Sequence, residues 1–550
     1  MSEFLQHLAF DPSRPLNFAS LFFWGYFAVV LVGFSLIHKR LAWRNAYLFL
    51  VSIYFYYKTS YFFFFLLLFS TGVDYTLARW MQNTARQPLR VALVTASVAV
   101  NLFVLFYFKY VYFFADAIKD LAGIDWRPIP HYALWSNAHF GTDFPIDRIA
   151  LPVGISFYTF QCISYTVDVY RRQIQAVKNP LDFGFYISFF PQLVAGPIVR
   201  ASDFIPQLYQ PYNVDRKTFG LGLFWVLNGL LKKVFLADYL AVNFIDRVFA
   251  QPTLYSGVET MLALFGYSLQ VYADFSGYTD VAIGLALWMG FSLTKNFNSP
   301  YKAANVGEFW QRWHMSLSGW LKDYVYIPLG GNRTGSWVSY VLAFLALFGV
   351  AVAVDAYWVS GVLAGLVGFF YLGYRRSPSF RKNVNTNINV LLTMLLGGFW
   401  HGSSWNFVLW GGLNGAGLVV HKYWKRIRPY NASHWLAQVL GVLITFLFIT
   451  FTRIWFRAPT WDGALEVVGR MTTNMQWNLL DDVVLGFWKP MLVFALGMCI
   501  HWIPEAIKAA YRRRFARASV WAQAGISVLA VLFMYQVMTA DAQPFIYFQF

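Results

Sequence analysis

The sequence predicts an all-α polytopic membrane protein, and three observations carry that reading. Of 550 residues, 58% are hydrophobic and 21% aromatic, while only 13% are charged, with a mean hydropathy of +0.46. Soluble domains carry about 25% charged residues, so half that share points to lipid as the solvent. Apolar runs follow one another along the whole chain, many near the roughly 20 residues that a helix needs to cross a hydrocarbon core. The formal charge of +17 is spread as short basic clusters between those runs, which reads as membrane topology and not as a nucleic-acid surface.

The runs lie near 18–37, 44–57, 60–78, 91–114, 149–170, 181–199, 219–249, 258–293, 336–354, 356–374, 386–400, 404–420, 435–456, 487–507 and 520–538. No internal repeat or low-complexity linker divides them, so residues 1–550 read as a single integral membrane domain. The N-terminal stretch lacks a basic n-region and a small-residue cleavage site, so the first span is expected to be retained. Cys162 and Cys499 both lie in apolar surroundings, giving neither a disulfide framework nor metal-ligand spacing. No metal site is expected.

Lys/Arg asymmetry sets an expected orientation. "HKRLAWR" at 38–44 and "ARQPLR" at 85–90 read as cytoplasmic, and residues 115–148, richer in Asp, as external. Arg171, Arg172 and Lys178, then the clusters at 375–382, 421–428 and 511–517, keep the alternation and place both termini outside. "NAS" at 431–433 matches a glycosylation acceptor but follows a cytoplasmic basic cluster, and is discounted.

Two stretches depart from simple spans. In 295–333 the residues Trp310, Trp313, His314, Leu317, Leu321 and Tyr324 recur at helical spacing. They predict an amphipathic interfacial or re-entrant helix ended by "PLGGNR". The second is a hairpin over 383–420 with basic flanks, whose tip carries "GGFWHGSSW". About 17 residues of helix rise ~25 Å, which carries His401 well into the bilayer. Glycine pairs at 397–398 and 411–412 allow either close helix approach or a break.

His401 has no acidic residue within ten positions. Intramembrane ionisable groups mostly face cavities and mark function, the plainer alternative being a hydrogen bond between helices. His314 beside Arg312 reads equally as an interfacial histidine or as a second site residue. Two histidines with no Cys, no HExxH and no carboxylate pair do not make a metal site, but can supply a base and an orienting group. Asp274, Ser276, Tyr278 and Asp280 interrupt an apolar run, where the carboxylates need basic partners elsewhere or serve the substrate. No P-loop, Rossmann fingerprint or G-x-S-x-G elbow is present, which speaks against nucleotide-binding and Ser–His hydrolase classes. A polymer or lipid transporter is the alternative of another class, although the matched broken helices of two halves are missing.

The strings "PVGISFYTFQ" (152–161), "LVAGPIVR" (193–200), "DFSGYTDVAIG" (274–284), "NFNSPYKAANVGEFWQRWHMSLSGWLKDYVYIPLGG" (296–331) and "WHGSSWNFVLWGGLNG" (400–415) resemble the membrane-bound O-acyltransferase (MBOAT) family. They are similar to its bacterial branch, which includes alginate O-acetyltransferase and the D-alanyl transferase of teichoic acid, and "PFIYFQF" (544–550) is typical of the alginate type. The resemblance is specific over 150–425, and departs mildly at Gln311 and Met315, where relatives often carry Arg and Ile. It implies a helical bundle with re-entrant helices and a central tunnel, with His401 as catalytic residue and His314 as its polar companion. Arg312, Trp313, Trp400, Asp274 and Ser276 are then expected along the substrate path. The neutral His401 imidazole would take the proton of an acceptor hydroxyl attacking an acyl thioester. His314 would hydrogen-bond the thioester carbonyl or the acceptor. The basic surface of 295–333 is expected to meet the phosphates of cytoplasmic acetyl-CoA. By the same resemblance the acceptor is an exported polysaccharide or a Ser on a periplasmic SGNH-type partner. A D-alanyl-type reaction from a carrier-protein thioester is the alternative within the family.

Overall fold

A computed structural model describes residues 10–11, 16–194, 196–353, 365, 374–427 and 434–537. Most of the run 356–374, the "NAS" site and "PFIYFQF" lie outside the described residues. The described secondary structure is helical throughout, without strands. Five helices there are long and apolar enough to cross a membrane, or six if the pair Trp477–Gly486 and Trp488–Trp502, bent by 89°, is one span. The chain forms two compact units: Met1–Tyr110, Ile129–Asn296 and Thr473–Phe550 make unit 1, and Val111–Pro128 with Phe297–Thr472 make unit 2.

In unit 1, helices α1 (Phe64–Asn83), α2 (Gln87–Leu105) and α3 (Ile155–Tyr170) meet around one buried carboxylate. Asp74 accepts from Ser97 Oγ at 2.5 Å, Asn101 Nδ2 at 2.8 Å and Thr166 Oγ1 at 3.4 Å, which ties all three helices at one atom cluster. Arg90 donates to the carbonyls of Met81 and Tyr170, satisfying the orphan acceptors at the C-terminal ends of α1 and α3.

The long helix α5 (Gly257–Trp288) opens with a capping box between Ser256 and Glu259 and packs antiparallel on α4 (Arg216–Leu231). Gly222 faces Gly284 and Gly229 faces Gly277, so one register runs along the whole crossing. A Cβ at Gly277 would stand 2.7 Å from the Gly229 carbonyl oxygen. Small residues here let backbones approach where lipid offers no hydrophobic drive between helices. Beyond α4 the chain continues through wider π-type turns at Lys232–Asp238 and Ala241–Ile245. Those turns carry Lys232 onto Asp280 at 2.6 Å and Lys233 onto Asp274 at 2.6 Å and Asp238 at 2.7 Å. Asn228 also donates to Asp280 at 2.7 Å. The carboxylates of 274–280 thus have the basic partners that burial demands.

Unit 2 holds the amphipathic stretch and the hairpin. The helical face expected across 310–324 is broken: α6 (Val306–Arg312) stops at Trp313, and α7 (Met315–Leu321) starts after His314. His314 lies at φ 44° and ψ 54°, a left-handed conformation that ends one helix and redirects the next. The hairpin forms as expected from α8 (Pro378–His401) and α9 (Trp405–Ile427). Of the two readings of its glycines the structure takes close approach. Gly398 lies against Gly411, where an added Cβ would run into the Phe407 carbonyl oxygen. Asn389 of α8 donates to the carbonyls of Gly331 and Thr334, both at 3.0 Å, pinning the "PLGGNR" turn. Helix α10 (Trp435–Arg457) packs on α9, where Asn414 reaches Thr452 and Asn406 donates to the carbonyls of Ala458 and Thr460.

Candidate active site

Each histidine arrives by a different local device. His401 is the last residue of α8, held at the hairpin tip by the glycine crossing three residues earlier. His314 arrives on the left-handed turn between α6 and α7. Asn305 caps α6 by accepting from the Glu308 amide at 2.9 Å, and Glu308 accepts from Ala304 N and Arg312 Nε, both at 2.9 Å. Arg312 also donates to the Asn298 carbonyl at 3.1 Å, so its guanidinium clamps the approach to the turn.

The two imidazoles are 0% and 3% exposed, with ring centroids 6.4 Å apart. Aromatic walls surround them. Trp400 lies 4.9 Å from His401 and 6.2 Å from His314, while Trp410 and Phe456 stand 5.1 and 5.3 Å from His401. Trp313 stacks on Phe309 at 5.7 Å and meets Phe297 edge-on at 5.1 Å. Among the described residues no group of three metal-ligating side chains occurs anywhere. Such a centre can move a proton and hold an acyl carbonyl in a poorly hydrated cage, where electrostatic interactions are strong.

The sequence-derived candidates fall into two sets. His314, His401, Trp313 and Trp400 gather in this cage, and Arg312 supports it one residue away. Asp274 and Ser276 belong to unit 1, where both are buried and Asp274 is engaged by Lys233.

A second feature of unit 2 lies on the polar side of the same helices. A cleft of about 1150 Å³ is lined by Glu308 and Gln311 of α6 and by His421, Lys422, Lys425 and Arg426 of α9. The basic charge here comes from α9, whereas Arg312 of the 295–333 stretch is occupied by Glu308. His421 is pushed below its ordinary value by burial, with the Lys425 charge adding. In sequence, 421–428 reads as a topology signal. Its basic residues at i, i+1, i+4 and i+5 were the available sign of a charged helix face.

Comparison with known proteins follows the same lines. Residues 163–376 match the membrane-bound O-acyltransferase family. The chain is 35% identical over 390 residues to a probable alginate O-acetylase of Azotobacter vinelandii, covering 70% of this chain and 64% of that protein. It is 32% identical to a peptidoglycan O-acetyltransferase of Helicobacter pylori, covering 82% of this chain and 78% of that one. Similarity extends to a teichoic acid D-alanyltransferase of Bacillus subtilis, at 26% identity over 54% of this chain and 67% of the other. The chain spans less than two thirds of the length of the alginate protein. The matched family region contains His314 and its broken helix, and the similarity to the Helicobacter protein extends over most of the chain. The chain belongs to the membrane-bound O-acyltransferase family.

Proposed function

We propose that this chain is an O-acetyltransferase of the bacterial inner membrane that serves acetylation of an exported polysaccharide. The observation that carries this reading is the pair of buried imidazoles facing each other across 6.4 Å in an aromatic cage. His401 is the base: its neutral ring accepts the hydroxyl proton as the acceptor oxygen attacks the acyl carbon. His314 orients the acceptor or the thioester carbonyl. The donor is cytoplasmic acetyl-CoA, its phosphates in the basic cleft beside α9 and its thioester in the cage. The acyl group passes through a tunnel in the bundle to an outer acceptor, either the polysaccharide or the Ser of a periplasmic SGNH-type protein. Both termini then face the periplasm. Relatives named for alginate and for peptidoglycan support a glycan acceptor class.

The test is thiol release from acetyl-CoA by purified protein in detergent with acceptor oligosaccharide, alongside polysaccharide acetylation in cells. His401→Ala should abolish both while the protein remains folded and membrane-inserted. Undiminished acetylation in that variant would remove the base from this scheme.

A further inference from the structure

One buried charge in unit 2 has no place in the scheme so far. Arg453 of α10 is 2% exposed. Its guanidinium carbon stands 4.3 Å from the centroid of the Trp313 ring, and Nη2 donates to the Tyr301 hydroxyl at 3.3 Å. Among the described residues no carboxylate pairs with it, and its Nε–H has no acceptor. Desolvating a cation without an anionic partner costs several kcal/mol. A methionine or leucine would fill similar space without that cost, so packing alone does not account for an arginine here.

Its neighbours lead to both histidines. Trp313 immediately precedes His314. Phe456, one turn further along the same helix face, lies 5.3 Å from the His401 ring. A second buried N–H without an acceptor among the described residues belongs to the same cluster: Trp310 Nε1, whose ring packs 5.7 Å from Trp410, itself 5.1 Å from His401. Two N–H groups without acceptors border one cage that otherwise offers aromatic carbon.

We propose that Arg453 is the fixed cation of this site, with its Nε–H donating to the acyl carbonyl oxygen during transfer. The inference rests on the acyl-transfer reading above. In the step, the acceptor oxygen bonds to the acyl carbon, the carbonyl π pair moves onto oxygen, and His401 takes the hydroxyl proton. Collapse re-forms the carbonyl, breaks the carbon–sulfur bond and returns the proton to the leaving thiolate. The guanidinium faces the oxygen that becomes negative, so its effect is greater in the transition state than with bound thioester.

Steady-state thiol release from acetyl-CoA by the full chain tests this, with Arg453→Gln, Arg453→Lys and a melting curve for each. Loss of one such donor costs about 10²–10³ in kcat. Arg453→Gln should therefore lose at least a hundredfold in kcat with donor KM within about threefold, and Arg453→Lys should recover a tenth or more of wild-type kcat. Arg453→Gln with kcat near wild type, or with KM carrying the loss, overturns the proposal. If Arg453→Gln does not fold, Arg453→Lys decides: a tenth or more of wild-type kcat supports the charge, and less overturns it. Wild-type turnover that depends on His401 keeps the functional reading in place whichever way Arg453 falls. Absence of any wild-type turnover overturns both.

Discussion

A buried carboxylate needs hydrogen-bonding or charged partners, and this chain supplies both kinds. Asp74 is met by two hydroxyls and an amide, whereas Asp274 and Asp280 are met by lysines. Lys233 is the more exacting case, because its ammonium serves Asp274 and Asp238 together and is only 3% exposed. Removing one partner of a buried pair leaves the other charge uncompensated, at about 3–5 kcal/mol. Lys233→Met is expected to lower the melting temperature in detergent markedly, and adding Asp274→Asn should recover part of the loss. A Lys233→Met protein that melts with the wild type would mean that the pair contributes nothing to the fold. The local sequence showed that these carboxylates needed cations but not which ones. The partners lie between forty and fifty residues away on turns of irregular pitch, which a regular helical period does not register.

Glycines meet face to face where α4 crosses α5 and where α8 crosses α9, and the hairpin shows how such a crossing reaches the candidate site. Gly398 and Gly411 bring α8 and α9 together three residues before His401. Overfilling a close-packed site costs about 1–3 kcal/mol and moves backbone. Gly398→Val should lower both the melting temperature and thiol release, the latter by at least tenfold, because the displaced segment carries His401, the proposed base. Gly72→Ala, where an added Cβ meets nothing within 4 Å, is the control and should match wild type in both measurements. Unchanged turnover in Gly398→Val would show that His401 does not depend on this crossing. The hairpin and its tip were legible because apolar runs, glycines and basic flanks all repeat on a local scale. The break at His314 was not. Its neighbours fit a helical face, and no residue there announces a positive φ as glycine would. Arg453 was equally silent, since an arginine near the end of an apolar run ordinarily reads as snorkelling to the interface. Only the fold brings it beside Trp313.

At the scale of the molecule, the excess of 43 basic over 26 acidic residues falls largely in short clusters between apolar runs, and the cluster at the end of α9 faces a cleft. Helix α9 joins that cleft to the cage, since Trp410 packs on His401 and His421 lines the cleft. Eleven residues separate them, or about 16 Å along the axis at 1.5 Å each. Between the phosphate and sulfur of an acyl-pantetheine donor run about thirteen bonds. At the ~1.2 Å of advance per bond of an extended peptide chain, those bonds reach roughly 16 Å. A donor with its phosphates among Lys422, Lys425 and Arg426 can therefore present its thioester at the histidines. Such binding by surface charges is screened by salt, while the enclosed chemistry is screened much less. Lys425→Glu with Arg426→Glu should raise the KM for acetyl-CoA at least tenfold and leave kcat within about threefold. Raising ionic strength should increase the wild-type KM in the same direction, and the doubly reversed protein should lose that dependence. A fall in kcat at constant KM would place the donor's phosphates elsewhere, because charges a helix length from the imidazoles act on binding and not on proton transfer.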